Sequence, residues 1–101
     1  MIVSVLYPAK SGSRFDLDYY MQKHIPKVKA RWSSLGLRGV EVLRCTGAPS
    51  GTGAYQVIAL LTFGSLAEFQ EAAKQHGKEV IGDIPNFTDV EALMQFNDTL
   101  G

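Results

Sequence analysis

Two stretches of this 101-residue chain, Ile2 to Tyr7 (IVSVLY) and Tyr55 to Phe63 (YQVIALLTF), carry apolar side chains at successive rather than alternate positions. In an extended strand successive side chains point to opposite faces, so Val3 and Val5 lie on one side of the first stretch and Ile2 and Leu6 on the other. Val57 and Leu61 oppose Ile58 and Leu60 in the same way. A strand of this kind has two faces to remove from water and belongs in the middle of a sheet that is covered on both sides.

The first cover is helical. Asp16 is a suitable N-cap, after which Leu17, Tyr20/Met21, His24, Val28, Arg31/Trp32 and Leu35 recur at three- and four-residue intervals up to Gly36. Pro26 has no N–H to offer the carbonyl of Gln22 and crowds it, while Ile25 before it is pushed from helical angles, so a kink or break is predicted near His24. Ser65-Leu66-Ala67-Glu68 matches a capping box, with Leu66, Phe69, Ala72/Ala73 and His76 on one face and Gly77 as the stop. A short helical extension through Val80 and Ile81 is compatible with the pattern, before a break around Gly82 to Pro85. Trp32 is placed to seal the first helix against the sheet or a partner subunit.

Gly39 to Cys45 reads as a second strand, joined to Tyr55–Phe63 by the turn-forming run from Thr46 to Gly53. A last strand is expected from Asp89 or Val90 to Phe96. The order β-α-β-β-α-β defines one α+β domain over residues 1–101, a ferredoxin-like fold with a four-stranded antiparallel sheet and both helices on one face. Glu41, Arg44 and Glu91 fall on the second and fourth strands, as suits the edges of such a sheet. Two helices cover one face only. The other would leave an apolar patch too large for a soluble monomer, so a homodimer packed sheet to sheet is expected.

Ten Lys plus Arg balance ten Asp plus Glu, which leaves no net field to attract nucleic acid or an anionic membrane. The one basic cluster, Lys23, Lys27, Lys29 and Arg31, reads as the solvated face of the first helix. No apolar run is long enough to span a bilayer, the Met-Ile-Val-Ser start has no basic segment ahead of its apolar residues, and the single Cys45 cannot close an internal disulfide; a cytoplasmic location is expected. Cys45, late in an apolar strand, reads as a packed and inert thiol.

Among residues able to carry chemistry, His24 is the most informative. It shares the apolar face of the first helix with Leu17, Tyr20, Met21 and Val28, so its ring is aimed at the sheet. Two readings stand: a core histidine bonded to a backbone carbonyl, such as one freed by Pro26, or an acid–base group at a pocket opened by the kink. Tyr7, Tyr20, Tyr55 and Phe63 are its candidate neighbours, with Tyr7, Tyr20 and Phe63 the expected substrate-binding residues of an apolar aromatic pocket. Asp16 and Asp18 are read as capping groups. His76 ends the second helical pattern, where it suits the negative end of the dipole; its sharper alternative is an axial haem ligand, with His24 the other candidate. His24 and His76 have no Cys or carboxylate at metal-ligand spacing, so no metal site is expected. No phosphate cradle and no nucleophile motif is legible, and no cofactor is expected.

The run Val3-Ser4-Val5-Leu6-Tyr7-Pro8, then Arg14-Phe15-Asp16-Leu17-Asp18-Tyr19-Tyr20, His24-Ile25-Pro26, Trp32 and Gly36-Leu37 resembles the EthD family over essentially the whole chain. The resemblance implies a dimeric ferredoxin-like α-β barrel. It also implies an accessory part in the oxidative degradation of alkyl ethers such as ethyl tert-butyl ether, alongside a cytochrome P450 oxygenase system. Similar dimeric barrels include isomerases, dehydratases and cofactor-free oxygenases in which a histidine beside an apolar pocket transfers a proton. The expected ligand is small and apolar with His24 as its acid–base or anchoring group; a non-catalytic carrier dimer and a haem-binding barrel are the alternatives.

Overall fold

The computed structural model describes all residues from Met1 to Gly101. Four antiparallel strands, β1 (Ile2–Pro8), β2 (Leu37–Arg44), β3 (Tyr55–Phe63) and β4 (Leu93–Asn97), form one sheet in the order β2-β3-β1-β4. The two doubly apolar strands are therefore central; the edge strand β2 carries Arg38, Glu41 and Arg44 as expected, whereas the other edge, β4, is uncharged because Glu91 falls before it. β2 begins two residues before the expected Gly39, and β4 begins at Leu93 because residues 89–92 are a bend and irregular chain.

The chain between β1 and β2 is helical in four pieces: α1 (Leu17–Tyr19), a π turn (Tyr20–His24), α2 (Ile25–Trp32) and a 3-10 turn (Ser33–Leu35). Asp16 caps it as expected, its carboxylate accepting the Tyr19 N–H at 3.0 Å. Pro26 does not break the helix. It lies in the first turn of α2, where its missing N–H costs least, and the preceding residues widen so that the Ile25 N–H reaches back to the Tyr20 carbonyl. The expected kink is thus an inserted π turn that ends on His24. Gly36 then takes φ 106°, a left-handed angle, and a Cβ there would lie 2.8 Å from that of Glu68, so only glycine closes this corner without strain.

The second helix, α3 (Leu66–Gly82), starts at its capping Ser65, whose hydroxyl accepts the Glu68 N–H at 3.1 Å. It runs through Gly77 to Gly82, and a 3-10 turn (Ile84–Asn86) follows. Glycine in a helix interior costs about 1 kcal/mol against alanine. That is less than the burial of Val80 on the same face returns, so Pro85, not Gly77, sets the stop. His76 consequently sits inside the helix, not at its end, half-exposed and 3.8 Å from Glu79.

Both helical layers pack on the face of the sheet that carries Val3, Val5, Tyr7, Ala59, Leu61 and Phe63. Trp32 locks them together: its indole N–H donates to the Ala72 carbonyl at 2.9 Å, and its ring meets Phe63 and Phe69 edge to face. At the other end, the segment before α1 is stitched to the segment after α3. Phe15 bridges Thr88, the Asp16 N–H donates to the Phe87 carbonyl at 2.7 Å, and the Thr88 hydroxyl donates to the Arg14 carbonyl at 2.6 Å. This stitch brings the C-terminal end of α3 under the π turn. The opposite face of the sheet carries one apolar row across all four strands, Leu43–Ile58–Leu6–Leu93, flanked by the mixed row Glu41–Leu60–Ser4–Gln95.

Candidate functional site

His24 is 4 % exposed, and its partner is a carboxylate rather than a backbone carbonyl. Asp83, the residue that caps the C-terminal end of α3, places Oδ2 2.9 Å from His24 Nδ1. The other carboxylate oxygen, Oδ1, accepts the Tyr19 hydroxyl at 2.7 Å and the Asn86 side-chain amide at 2.9 Å, and Lys27 Nζ lies 3.5 Å away. Asp83 is buried, and these donors hold its carboxyl far below the usual carboxylate range despite that burial. It is a fixed anion.

The π turn explains how one helix supplies so many of these groups. Tyr19 and His24 are five residues apart and would diverge on a regular α-helix, whereas the wider turn lets both side chains reach one carboxylate. Asp83 in turn holds the Tyr19 phenol above its ordinary range by accepting its hydrogen bond.

Burial pushes the His24 imidazole below its ordinary value of 6.5, against the opposing pull of Asp83. The ring is therefore neutral at pH 7. With Nδ1 facing an anion that can only accept, the proton resides on Nδ1 and the lone pair on Nε2. No protein group is hydrogen-bonded to Nε2, and no fully enclosed side-chain nitrogen of the protein lacks a partner. Nε2 is the ring nitrogen left without a protein partner, and His24 is one of the residues that line a cleft between sheet and helices.

That cleft is narrow, with a cavity volume of about 30 Å³, and 13 of its 14 lining residues are hydrophobic or aromatic. Tyr7 and Tyr20 line it with His24, as expected from the sequence; the Tyr20 ring is stacked on the imidazole at 5.5 Å between centroids and meets Tyr7 edge to face at 5.8 Å. Burial lifts both phenols well above their ordinary range, so both keep their protons throughout the physiological range. Phe87, fully buried, covers the imidazole at 4.7 Å. Phe63 is not among the cleft residues; it packs in the Trp32 and Phe69 cluster. Tyr55 is half-buried at the start of β3 and does not line the cleft. Cys45 is half-buried just after β2, its thiol directed to the Gly47 carbonyl at 3.7 Å.

No group of three or more His, Cys, Asp or Glu side chains is arranged to hold a metal ion, and no helix is long and apolar enough to cross a membrane. A four-stranded antiparallel sheet with two helical layers on one face, and a buried Asp–His pair beside an apolar cleft, defines a ferredoxin-like α+β protein. No family model and no curated protein sequence matches the chain. Solved structures do. An EthD-like protein from Ralstonia eutropha JMP134 is 31 % identical, with a TM-score of 0.89 over 99 % of this chain and 91 % of that one. A protein of the ethyl tert-butyl ether degradation (EthD) family from Bacillus halodurans C-125 follows at 18 % identity and TM-score 0.65, over 96 % of this chain and 97 % of that one. HapK from Hahella chejuensis shares the fold at 13 % identity and TM-score 0.59, over 100 % of this chain and 96 % of that one. The chain belongs to the EthD-like family.

The two depressed pKa values give two separate acid limbs of stability. A histidine with a lowered folded pKa contributes stability that is complete above its ordinary value of 6.5 and declines as pH falls below it; the Asp83 contribution is complete above 3.8 and declines below that. Urea unfolding midpoints measured from pH 8 to pH 3 are expected to fall in both windows. His24→Gln removes the upper limb. Asp83→Asn removes the lower one and lowers stability throughout by on the order of 2–3 kcal/mol, because three donors lose a charged acceptor.

Proposed function

We propose that the His24–Asp83 pair is an acid–base device acting on a small, uncharged, largely apolar ligand held in the cleft between sheet and helices. The observation that carries this reading is the bonding of His24: Asp83 occupies Nδ1, leaving the basic nitrogen Nε2 without a protein partner on a residue that lines an apolar cleft. In such a site Nε2 takes a proton from an acidic C–H or O–H of the ligand. The imidazolium that forms is stabilised by Asp83, and the same proton is returned to a neighbouring atom or to a departing hydroxyl. This serves isomerisation, dehydration or activation of a ligand toward oxygen. Tyr7 and Tyr20 shape the cleft. The Bacillus halodurans neighbour carries the name of ethyl tert-butyl ether degradation. An accessory step in oxidative catabolism of alkyl ethers or related apolar compounds, beside an oxygenase system, fits a site of this polarity. Phe63 contributes through the packing that positions Trp32 over the cleft.

Hydrogen–deuterium exchange at the α-carbon of 2-tetralone, an uncharged enolisable probe, tests the acid–base role. The native protein is expected to accelerate exchange, and His24→Ala to reduce that acceleration by roughly 10² or more. Asp83→Asn should reduce it as well, with binding of the probe retained. Binding without acceleration in the native protein overturns the acid–base role and leaves a carrier.

The same proposal includes a homodimer formed through the open face of the sheet. The Leu43–Ile58–Leu6–Leu93 row crosses all four strands without interruption, and Leu43 and Leu93 are exposed at 41 % and 46 %. Light scattering at micromolar concentration should return twice the chain mass, and Ile58→Lys at the centre of the row should return the monomer. A monomeric native protein overturns this arrangement.

A further inference from the structure

The cleft that touches His24 meets solvent along one line. Of its 14 lining residues, 11 are buried and Ile84 is half-buried; Ile81 on α3 is 49 % exposed and Met94 on β4 is 42 % exposed. The wall of the cleft therefore reaches the surface at the seam between the C-terminal end of α3 and β4. Little holds that seam shut. β4 takes its ladder hydrogen bonds from β1 alone, α3 is bonded to α2 through Trp32 and to the π turn through Asp83, and no side-chain hydrogen bond or ion pair joins α3 to β4. What does join them is apolar contact, such as Phe69 against Phe96 at 5.5 Å. Contacts of this kind part more cheaply than a sheet ladder or a buried ion pair, and methionine is the most adaptable apolar side chain to place at a moving edge.

The closed volume of about 30 Å³ holds little more than a water molecule, so any organic ligand reaches His24 only when the seam opens. The chemistry of the lining sets what passes. Met94 faces the helices beside Val5, and the rest of the path, Ile81, Ile84 and Val80, is aliphatic. Lys27 is engaged by Asp83 and does not line the cleft. An anionic ligand would lose its hydration along this path with no cation to meet it.

We propose that the seam between α3 and β4 is the ligand route to His24, with Ile81 and Met94 as its two sides, and that it selects uncharged ligands over their carboxylate counterparts. This rests on the reading of His24 as the ligand-facing group. Met94 lies on the helix side of β4, whereas Leu93 and Gln95 lie on the open face, so the route stays free when two sheets pack together.

Stopped-flow fluorescence with 2-naphthol and 2-naphthoate, followed by NMR of the His24 ring with each probe, tests the route. The native protein should bind 2-naphthol with a perturbed His24 signal, and 2-naphthoate at least about tenfold more weakly. Ile81→Trp and Met94→Trp should each slow 2-naphthol association about tenfold, and Met94→Ala should speed it. Association rates unchanged in both tryptophan variants, with His24 still perturbed by the probe, overturn the route and leave the acid–base reading standing. Equal binding of naphthol and naphthoate overturns the selectivity. Absence of any His24 perturbation in the native protein overturns both the route and the reading on which it rests.

Discussion

The hydrogen bond between Asp83 and His24 is the interaction on which the rest of this site depends. A buried carboxylate is costly unless its oxygens are occupied, and here Tyr19, Asn86 and His24 occupy them, with Lys27 adding charge at 3.5 Å. Removing any one donor leaves a partly unpaired anion in the interior, so the four side chains hold one another in place. The consequence reaches outward in both directions. It ties the end of α3 to the π turn, and it fixes which imidazole nitrogen is left without a protein partner.

The backbone is arranged to make that bond. A regular helix would carry Tyr19 and His24 to different sides, and a helix broken at Pro26 would release His24 from the sheet. The π turn from Tyr20 to His24 does neither: it adds width to one turn and lets α2 restart with the proline in its first turn. On the other side, α3 passes through Gly77 and ends at Asp83. The bonds from Arg14 and Asp16 to Thr88 and Phe87 then hold the two segments together. The tight Trp32 end and the Asp83 end clamp the helices to the sheet and leave the α3–β4 seam as the loosest boundary of the cleft.

Much of this was legible in the sequence, for definite physical reasons. The order of strands and helices follows from hydrophobic period, the Ser65 and Asp16 caps, and the doubly apolar Ile2–Tyr7 and Tyr55–Phe63. The placement of His24 toward the sheet follows from its spacing to Leu17, Tyr20 and Val28, and the presence of Tyr7 and Tyr20 around it follows from the same pattern. Asp83 was not legible. It lies 59 residues from His24 in an irregular stretch, and only the tertiary stitch of Thr88 and Phe87 to the start of α1 brings it there. A lone acid between Ile81 and Ile84, two residues before Pro85, is the available signal. Tyr19 was hidden for a different reason: α-helical spacing puts it off the His24 face, and a π turn cannot be read from periodicity. Gly77 reads as a stop in the sequence because a glycine stop is a local preference, and in the fold the burial of Val80 outweighs it.

Asp83 sets His24 in one tautomer, with the proton on Nδ1 and a basic Nε2. Nitrogen-15 NMR of the imidazole in the native protein and in Asp83→Asn measures this directly. The native spectrum should show a neutral ring at pH 7 with its proton on Nδ1 and an unprotonated Nε2, titrating below the ordinary 6.5, and Asp83→Asn should lose that single-tautomer signature. A native ring protonated on Nε2, or one whose tautomer is the same with and without the Asp83 carboxylate, would contradict the account.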